Sequence, residues 1–343
     1  MRLPSPPVPL RLLAPVAASV LTLIAARCGG SEQGASATRA ASASQSTTTT
    51  TATTSATTST ATLPGTGKPA ITIGDKNFTE QFVLGELYAL ALQGNGFTVN
   101  INRNIGPTEV TIQALRSGRL GMYPEYLGTW DTTVAGYHHR FRSPAHAYRA
   151  AQRYAVAHGF VLLNRTPFSD TDAVGVTVGY AAQNRLKSIG DLRKVAQTLV
   201  LGGPPQFEQD PVGLAAIKRI YGFTPMAYKA LAVGDQYPAL DQGQVQAADV
   251  NTTDGQLVTG DYALLSDPAD AFGWGNVMPV VSADVLAAEG PEFAATINRV
   301  SAMLSTSTIR ELNFLVDVAH QDPTSVAKQF LETHGMRAAT PSP

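Results

Sequence analysis

The chain has 343 residues, with 25 Lys and Arg against 26 Asp and Glu, which gives a formal net charge of −1. Because the charge is nearly balanced and no run of basic residues stands out, the composition excludes a typical nucleic-acid-binding protein. The single cysteine, Cys28, excludes an internal disulfide and any metal site built from several cysteines.

The first 27 residues have the character of an export signal. Arg2 and Arg11 give the first residues a positive charge. An apolar run from Leu12 to Ala26 follows, and it is short for a membrane span. Cys28 comes directly afterwards, as at a bacterial lipoprotein cleavage site, although Arg27 stands where such sites have a small residue. We therefore expect residues 1–27 to be a signal peptide and Cys28 to be lipidated, so that a lipid anchor holds the protein outside the cytoplasm at the cell membrane. A secreted or periplasmic protein with an incidental cysteine is the alternative.

Residues 28–68 consist mostly of Ser, Thr, Ala and Gly. Such a segment has too few apolar groups to offset the entropy lost on ordering, so it is predicted to be a disordered tether. Removal of residues 1–27 leaves a net charge of about −4. The remaining part, about 270 residues, is long enough for one or two hydrophobic cores.

The folded part opens with a strand–loop–helix unit. Ile71 and Ile73 alternate as in a strand, and apolar residues from Phe82 onwards recur at helical spacing. Asn77 and Glu80 have the spacing of a helix-capping box, with Thr79 as the alternative cap. The loop places Lys76 and Asn77 at the carboxyl end of the strand, where ligands of open α/β sheets bind. An ordinary structural unit with no ligand is the alternative.

Strands and helices alternate along the rest of the chain. Further strands are predicted at 98–102, 120–126, 161–163, 173–178, 198–201, 247–250 and 277–281. Helices are predicted at 106–118, 143–158, 211–221, 237–243, 292–304, 307–318 and 323–333. This alternation predicts a mainly parallel α/β architecture.

No sequence motif indicates an enzyme, a cofactor or a metal ion. The chain lacks the nucleophile elbow of α/β hydrolases, the phosphate-binding loop and the dinucleotide-binding glycine motif. His138 and His139 are adjacent and would point in different directions on a regular element, so they make a poor metal pair. We expect no catalytic residues, no cofactor and no metal.

Four stretches resemble the glycine betaine/choline family of ABC-transporter substrate-binding proteins. They are Ile73–Gln81, Gly106–Glu109, Tyr123–Thr129 and Glu311–Asp317. The resemblance implies a type II periplasmic-binding-protein fold with two α/β lobes, each a mainly parallel sheet flanked by helices. It places lobe I at 69–170 plus 273–335, lobe II at 171–272 and a C-terminal tail at 336–343. Two hinge crossovers, 169–173 and 267–273, are implied to join the lobes.

The resemblance also implies a binding site between the lobes. In the family, a quaternary ammonium lies in a cage of tyrosines, which attract it through their ring faces, and a ligand carboxylate is held by Lys, Thr and Arg. The positions of this chain that match or replace family binding residues, together with the loop residue Asn77, are Lys76, Asn77, Gln81, Tyr126, Thr129, Asp172, Asn251 and Trp274.

This chain departs from the family pattern at several of these positions. Asp172 and Asn251 stand where relatives have aromatic residues, Gly275 replaces a tyrosine beside Trp274, and Asp210 stands where an arginine is common. Loss of an arginine clamp and gain of carboxylates favour choline or another small cationic or polar solute over glycine betaine.

We therefore expect a monomeric solute-binding component of an ABC importer, which delivers its ligand to a permease subunit and binds no nucleic acid. Two alternatives are an extracellular sensory domain without a transporter, whose gene would lack permease and ATPase neighbours, and an extracellular hydrolase, which would show turnover.

Overall fold

The computed structural model describes residues 62–339. Its strands are β1 Ala70–Gly74, β2 Thr98–Asn102, β3 Met122–Tyr126, β4 Phe160–Leu162, β5 Asp172–Thr177, β6 Val200–Gly203, β7 Ala227–Ala230, β8 Ala247–Asn251, β9 Tyr262–Leu265 and β10 Val277–Ser282. Its helices are α1 Thr79–Gly94, α2 Thr108–Arg116, α3 Leu127–Thr129, α4 Pro144–Ala157, α5 Val178–Asn184, α6 Pro205–Gln209, α7 Leu214–Tyr221, α8 Gln236–Asp241, α9 Ala283–Glu289, α10 Pro291–Met303, α11 Thr306–Asp317 and α12 Pro323–Thr333. Short helical segments that are not α-helical lie at Trp130–Val134, Ile189–Val195 and Gly255–Thr259.

The first sheet has the strand order β2-β1-β3-β10-β4. β1 pairs in parallel with β2 and β3, whereas β10 runs antiparallel to both β3 and β4. Four of the five strands therefore run in one direction, as predicted, and β10 is the reversed strand. Because β1 and β3 are parallel neighbours, the residues that follow Gly74 and those at the end of β3 meet at one edge of the sheet.

The second sheet repeats the same pattern with the order β7-β6-β8-β5-β9. β6 pairs in parallel with β7 and β8, and β5 is the reversed strand between β8 and β9. Two mixed sheets flanked by helices make a two-lobed α/β fold. The reversed strand in each sheet, β5 or β10, is the first one after the chain crosses from the other sheet.

The two segments that join the sheets run side by side. Ser169 and Asn276 form an antiparallel bridge, and the Asp170 amide donates to the carbonyl oxygen of Gly275 at 3.0 Å. A Cβ atom on residue 275 would lie 1.5 Å from the carbonyl oxygen of Asp170. Any side chain at this position is therefore sterically incompatible with the close approach of these two segments.

Helix α1 is buried on nearly every side in the core of the first lobe. It packs against β1 on one side and against α10, α11 and α12 on the others, and most of its apolar residues are inaccessible. A helix that is apolar all round is typical of such a central position. Its two acidic residues, Glu80 and Glu86, are also buried, so each needs a partner inside the protein.

The start of α1 differs from the prediction. Phe78 occupies the N-cap position and no side chain caps the helix, so neither the Asn77–Glu80 box nor a Thr79 cap forms. Glu80 instead turns inward to Tyr126 and Asn313, and the Thr79 hydroxyl donates to Asp317 on α11. The side chains of Thr79 and Glu80, which local spacing assigned to the helix cap, therefore bond to residues that are distant in sequence.

The folded part extends beyond the predicted limits at both ends. Residues 62–68, the end of the predicted tether, form a turn in which buried Gly65 donates to the Asn95 carbonyl at 2.9 Å. Met336 in the predicted tail is buried in the first lobe's core, and the Ala339 amide donates to the Leu90 carbonyl at 3.3 Å. The predicted signal peptide, Cys28 and the tether up to residue 61 lie outside the described residues. Within 62–339, no helix combines the length and apolar character needed to span a bilayer.

Candidate ligand-binding site

Lys76 lies in the loop between β1 and α1, and only 4% of it is exposed. Its ammonium forms an ion pair with Glu125 on β3 and donates to the Thr108 hydroxyl at 2.9 Å. Thr108 in turn donates to Glu125 Oε2 at 3.1 Å. Glu125 is completely buried, where a carboxylate without a partner would be strongly destabilising. The charge of Lys76 is therefore used inside the protein, and it is not a free clamp for a ligand carboxylate.

Tyr126 ends β3 next to this ion pair. The centroid of its ring lies 5.1 Å from the Lys76 ammonium nitrogen and 5.9 Å from the ring centroid of Phe78. Its hydroxyl donates to Glu80 Oε1 at 2.7 Å. Burial and the nearby Glu80 and Asp170 carboxyls raise the pKa of Tyr126 well above its usual range, so the ring carries a neutral hydroxyl. Phe78, 40% exposed, is an aromatic of this site that the sequence analysis did not select.

Gln81 supplies an unused donor beside Tyr126. It is fully buried, and its Oε1 accepts from the Lys76 amide at 3.4 Å. Its Nε2 finds no acceptor among the residues that the structure describes. A buried amide donor without a partner is costly, which makes Gln81 a candidate for a ligand contact.

Glu80 and Asn313 link the first sheet's helices to the segment after β8. Asn313 on α11 donates to Glu80 Oε2 and to the backbone oxygen of Thr253, each at 2.9 Å. Burial raises the pKa of Glu80, and hydrogen bonds from Thr253, Tyr126 and Asn313 act in the opposite direction. Asn313 therefore touches both the predicted lobe I and the predicted lobe II.

Two acidic side chains and one amide lie near the start of β5. Asp172 is directly opposite Asn251 in the β5–β8 pair, and Asp249 is two residues back on β8, so all three side chains share one face of the sheet. Burial and the carboxyls of Asp172, Asp254 and Asp210 raise the pKa of Asp249 to about 9. Burial and then Asp210 raise the pKa of Asp172 to about 6. The repulsion among these carboxyls would be relieved by a cation.

Asp249 is the member of this set that the sequence analysis missed. It is 6% exposed, and its Oδ1 has no hydrogen-bond partner within the described part of the chain. An acidic residue between the apolar residues Ala248 and Val250 in the middle of a strand was the available signal. Asp170, in the first crossover, was missed as well; burial and the nearby Glu80 and Asp254 raise its pKa well above the usual range.

A cavity of about 280 Å³ lies beside the two crossovers, at the ends of β5 and β9. Asp172, Asp267, Asp270 and Phe272 are among its lining residues, and it has no Lys or Arg in its wall. A wall with three carboxyl groups, one aromatic ring and no basic side chain suits a small cation better than an anion.

Aromatic residues stand next to the acidic set in the second lobe. The ring centroid of Phe207 lies 6.4 Å from that of Tyr228 and 6.2 Å from that of Phe272. The Tyr228 hydroxyl donates to the Pro204 carbonyl at 2.7 Å. Asp249 and Asp172 contribute to the raised pKa of Tyr228, after burial, which places the phenol in the field of both carboxyls. None of these three aromatics was selected from the sequence.

The remaining predicted site residues are less closely connected. Asn77 and Asn251 are exposed, while Thr129 and Trp274 are half-buried. Trp274 packs against the core cluster of the first lobe that contains Trp130, and its carbonyl oxygen would lie 2.9 Å from a Cβ on Gly128. The structure thus brings together Lys76, Gln81 and Tyr126, and separately Asp172 and Asn251. Within residues 62–339 no group of three or more His, Cys, Asp and Glu has the arrangement of a metal site.

Comparisons with known proteins place this geometry in a family. The family described as "Substrate binding domain of ABC-type glycine betaine transport system" matches residues 69–333. A glycine-betaine-binding protein of Pseudomonas aeruginosa is 31% identical over 277 residues, which cover 77% of this chain and 88% of that protein. The carnitine transport binding protein OpuCC of Listeria monocytogenes is 28% identical over 280 residues, covering 80% and 90%.

Solved structures agree. The crystal structure of a glycine betaine/carnitine/choline ABC transporter protein is similar with a TM-score of 0.72 and 25% identity, over 78% of this chain and 99% of that chain. The apo form of YehZ from Escherichia coli has a TM-score of 0.67 and 28% identity, over 78% and 99%. This chain therefore belongs to the family of substrate-binding domains of ABC-type glycine betaine transport systems, whose members bind solutes and are not enzymes.

Proposed function

We propose that the protein captures a small quaternary-ammonium solute without a carboxylate, of the choline type, between its two lobes and delivers it to an ABC permease. Its relatives are named for glycine betaine and carnitine binding, which favours a quaternary ammonium ligand. The family acts outside the cytoplasm, and its members work with a permease.

The pairing of Lys76 with Glu125 is the observation on which the proposed ligand class rests. A ligand carboxylate needs an available cation, and Lys76 already neutralises a buried carboxylate. The second lobe contributes Asp172 and Asp249, whose carboxyls offer a ligand carboxylate no cationic partner and favour a cation as they lose their protons. Tyr126 supports the same choice, since its ring face suits a cation that has no N–H to donate.

We propose that lobe I is built on 69–170 plus 273–335, with 62–68 and 336–339 packed onto it, and that lobe II comprises 171–272. The paired crossovers at Asp170 and Gly275 support a hinge there. Ligand would favour the closed state because the faces contributed by Tyr126 and Asp172 come from different lobes and act together only when the lobes close. We also propose that Cys28 carries a lipid anchor, on the basis of the export-signal composition that precedes it.

Calorimetric titration of the protein with choline, glycine betaine, carnitine, proline and a polyamine tests this proposal. We expect one-to-one binding of choline, roughly tenfold or more tighter than that of glycine betaine, which corresponds to about 1.4 kcal/mol. Equal or tighter binding of glycine betaine would contradict the assigned ligand class while leaving the solute-binding function in place. An absence of heat with all five compounds would remove the quaternary-ammonium assignment.

A further inference from the structure

Residues 132–169 of the first lobe contain basic side chains but no acidic ones. Between Thr132 and Ser169 the chain has five arginines and four of its 6 histidines, and it has no Asp, Glu or Lys. The chain as a whole has a formal net charge of −1. His146, Arg149 and Arg153 are spaced at helical intervals, so the fold of this segment places these three side chains on one surface.

Helix α4 presents its own basic side chains to solvent. Its alanines Ala147, Ala150, Ala151 and Ala155 are buried, so the opposite side faces solvent. That side carries His146, Arg149, Arg153 and Val156, at the three- and four-residue spacing of one helix face, and all four are exposed. We call these four residues the basic face.

The charges of the basic face are not neutralised by the protein. Within residues 62–339, neither Arg149 nor Arg153 takes part in a salt bridge. In the acid-free stretch only Arg140 does, with Asp270 at 3.5 Å. A helix face with unpaired arginines has a positive potential that attracts anionic surfaces.

A cavity of about 370 Å³ adjoins the same helix. Tyr148 of α4, Asn164, Arg165 and Asn298 line it together with Pro167 and Ala302, so its wall contains a cation and amide groups but no acid. Arg165 Nη1 donates to Asn276 Oδ1 at 3.0 Å, which leaves the other guanidinium N–H groups for a further acceptor. Asn298 Oδ1 accepts from the Asn164 amide at 2.9 Å, so its Nδ2 donor is also available.

We propose that the basic face and the Arg165 cavity bind the phosphate headgroups of anionic phospholipids, so that the first lobe rests on the membrane surface. Arginine and amide donors around a cavity of this size suit a compact phosphate group better than the spread carboxylates of an acidic protein. Val156 is 71% exposed in the middle of the arginines. An exposed apolar side chain beside cations adds buried apolar area to their electrostatic attraction to anionic lipids.

Cosedimentation with lipid vesicles tests the proposal. The full chain is mixed with phosphatidylcholine vesicles or with vesicles that also contain phosphatidylglycerol, and the ratio of the two binding constants is measured at low salt. We expect a ratio well above one that falls at high salt. Because any insertion of the apolar N-terminal run is common to both vesicle types, the ratio reports the electrostatic contribution.

Two double variants with the same change in net charge separate the basic face from general attraction. Arg149→Gln/Arg153→Gln should lower the ratio roughly tenfold or more. Lys187→Gln/Lys218→Gln removes two exposed cations of the second lobe and should leave the ratio within about twofold. Melting temperatures and choline titrations of both variants serve as folding controls.

Arg165→Gln, measured in the same way, tests the cavity and should also lower the ratio. Equal ratios for the two double variants would overturn the proposal. If the cavity binds inorganic phosphate and the protein shows no preference for anionic vesicles, the cavity is a site for a free anion. If Arg149 and Arg153 capture the detergent-solubilised permease without that vesicle preference, the basic face is a docking site for a protein. Either result would also overturn the lipid proposal.

Discussion

The amide of Asp170 donates to the carbonyl oxygen of Gly275 at 3.0 Å, and this contact fixes the two crossovers against each other. Since a Cβ at position 275 would overlap the Asp170 backbone, a side chain there must push the crossovers apart. The close approach of the two crossovers therefore depends on the absence of a side chain at position 275.

Gly275→Ala should lower the melting temperature and abolish or strongly weaken ligand binding. A backbone clash of this kind must be relieved by moving one crossover, at an expected cost of about 1–3 kcal/mol or more. Thermal unfolding and calorimetric titration measure the two effects. Gly179→Ala in α5, where a Cβ meets no atom within 4 Å, is the matched control and should be neutral or slightly stabilising. A normal Gly275→Ala protein would show that the crossovers separate easily.

Glu125→Gln should change both stability and ligand preference. The substitution leaves the Lys76 ammonium buried without its carboxylate, which is expected to cost about 3–5 kcal/mol. It also frees that ammonium for a ligand, so the affinity for glycine betaine should rise relative to that for choline. Titration with both solutes gives the ratio, and Glu109→Gln on the exposed side of α2 is the control. An unchanged ratio would place Lys76 outside the ligand site.

Two substitutions at Tyr126 should separate its ring from its hydroxyl. Tyr126→Phe removes the hydrogen bond to Glu80 but keeps the aromatic face, so choline affinity should change by no more than a few fold. Tyr126→Ala removes the face and should weaken binding by tenfold or more, since a desolvated cation–π contact contributes about 2 kcal/mol. Equal loss in both variants would indicate that the hydrogen bond to Glu80, and not the ring, supports the site.

Asp249 should make the ligand-free protein less stable as pH rises. Its pKa is raised from 3.8 to about 9 in the folded state, so between these values the folded protein holds a proton that the unfolded chain releases. The stabilising contribution of that proton is complete below pH 3.8 and is lost as pH rises through about 9. Asp249→Asn should remove this loss, so its melting temperature should exceed that of the wild type increasingly toward high pH.

Exposed Asp261→Asn is the control for this series and should follow the wild-type pH dependence. A constant difference between Asp249→Asn and the wild type from acid to alkaline pH would contradict the assigned titration. Choline affinity gives a second readout, because a cation should bind more tightly as Asp172 and Asp249 lose their protons.

Local sequence patterns predicted the strands and helices well, but they predicted the side-chain contacts poorly. The alternation of Ile71 and Ile73 and the helical spacing after Phe82 were enough to find β1 and α1. The cap of α1 was wrong because Glu80 is bonded to Tyr126 and Asn313, which are distant in sequence. Periodicity also could not show that β5 and β10 are reversed, since strand direction depends on the path between lobes.

The site was only partly predictable for the same reason. Lys76, Gln81 and Tyr126 were selected as candidates through short motifs, and the structure brings these three residues together. The pairing of Lys76 with Glu125 joins positions that no local rule relates, and it changes the expected ligand. Asp170 and Asp249 were missed because an isolated acid in a strand or loop is ordinary until the fold brings other carboxyls beside it.

Both ends of the described chain are fastened to the end of α1, through Gly65 and through Ala339. Tension applied between those ends would consequently be borne by the first lobe alone, and none of it would pass through the segments at Asp170 and Gly275. Any movement of the second lobe relative to the first would be mechanically insulated from whatever pulls on the chain ends. A reporter fused after residue 339 would report on that movement only if its partner is attached to the second lobe.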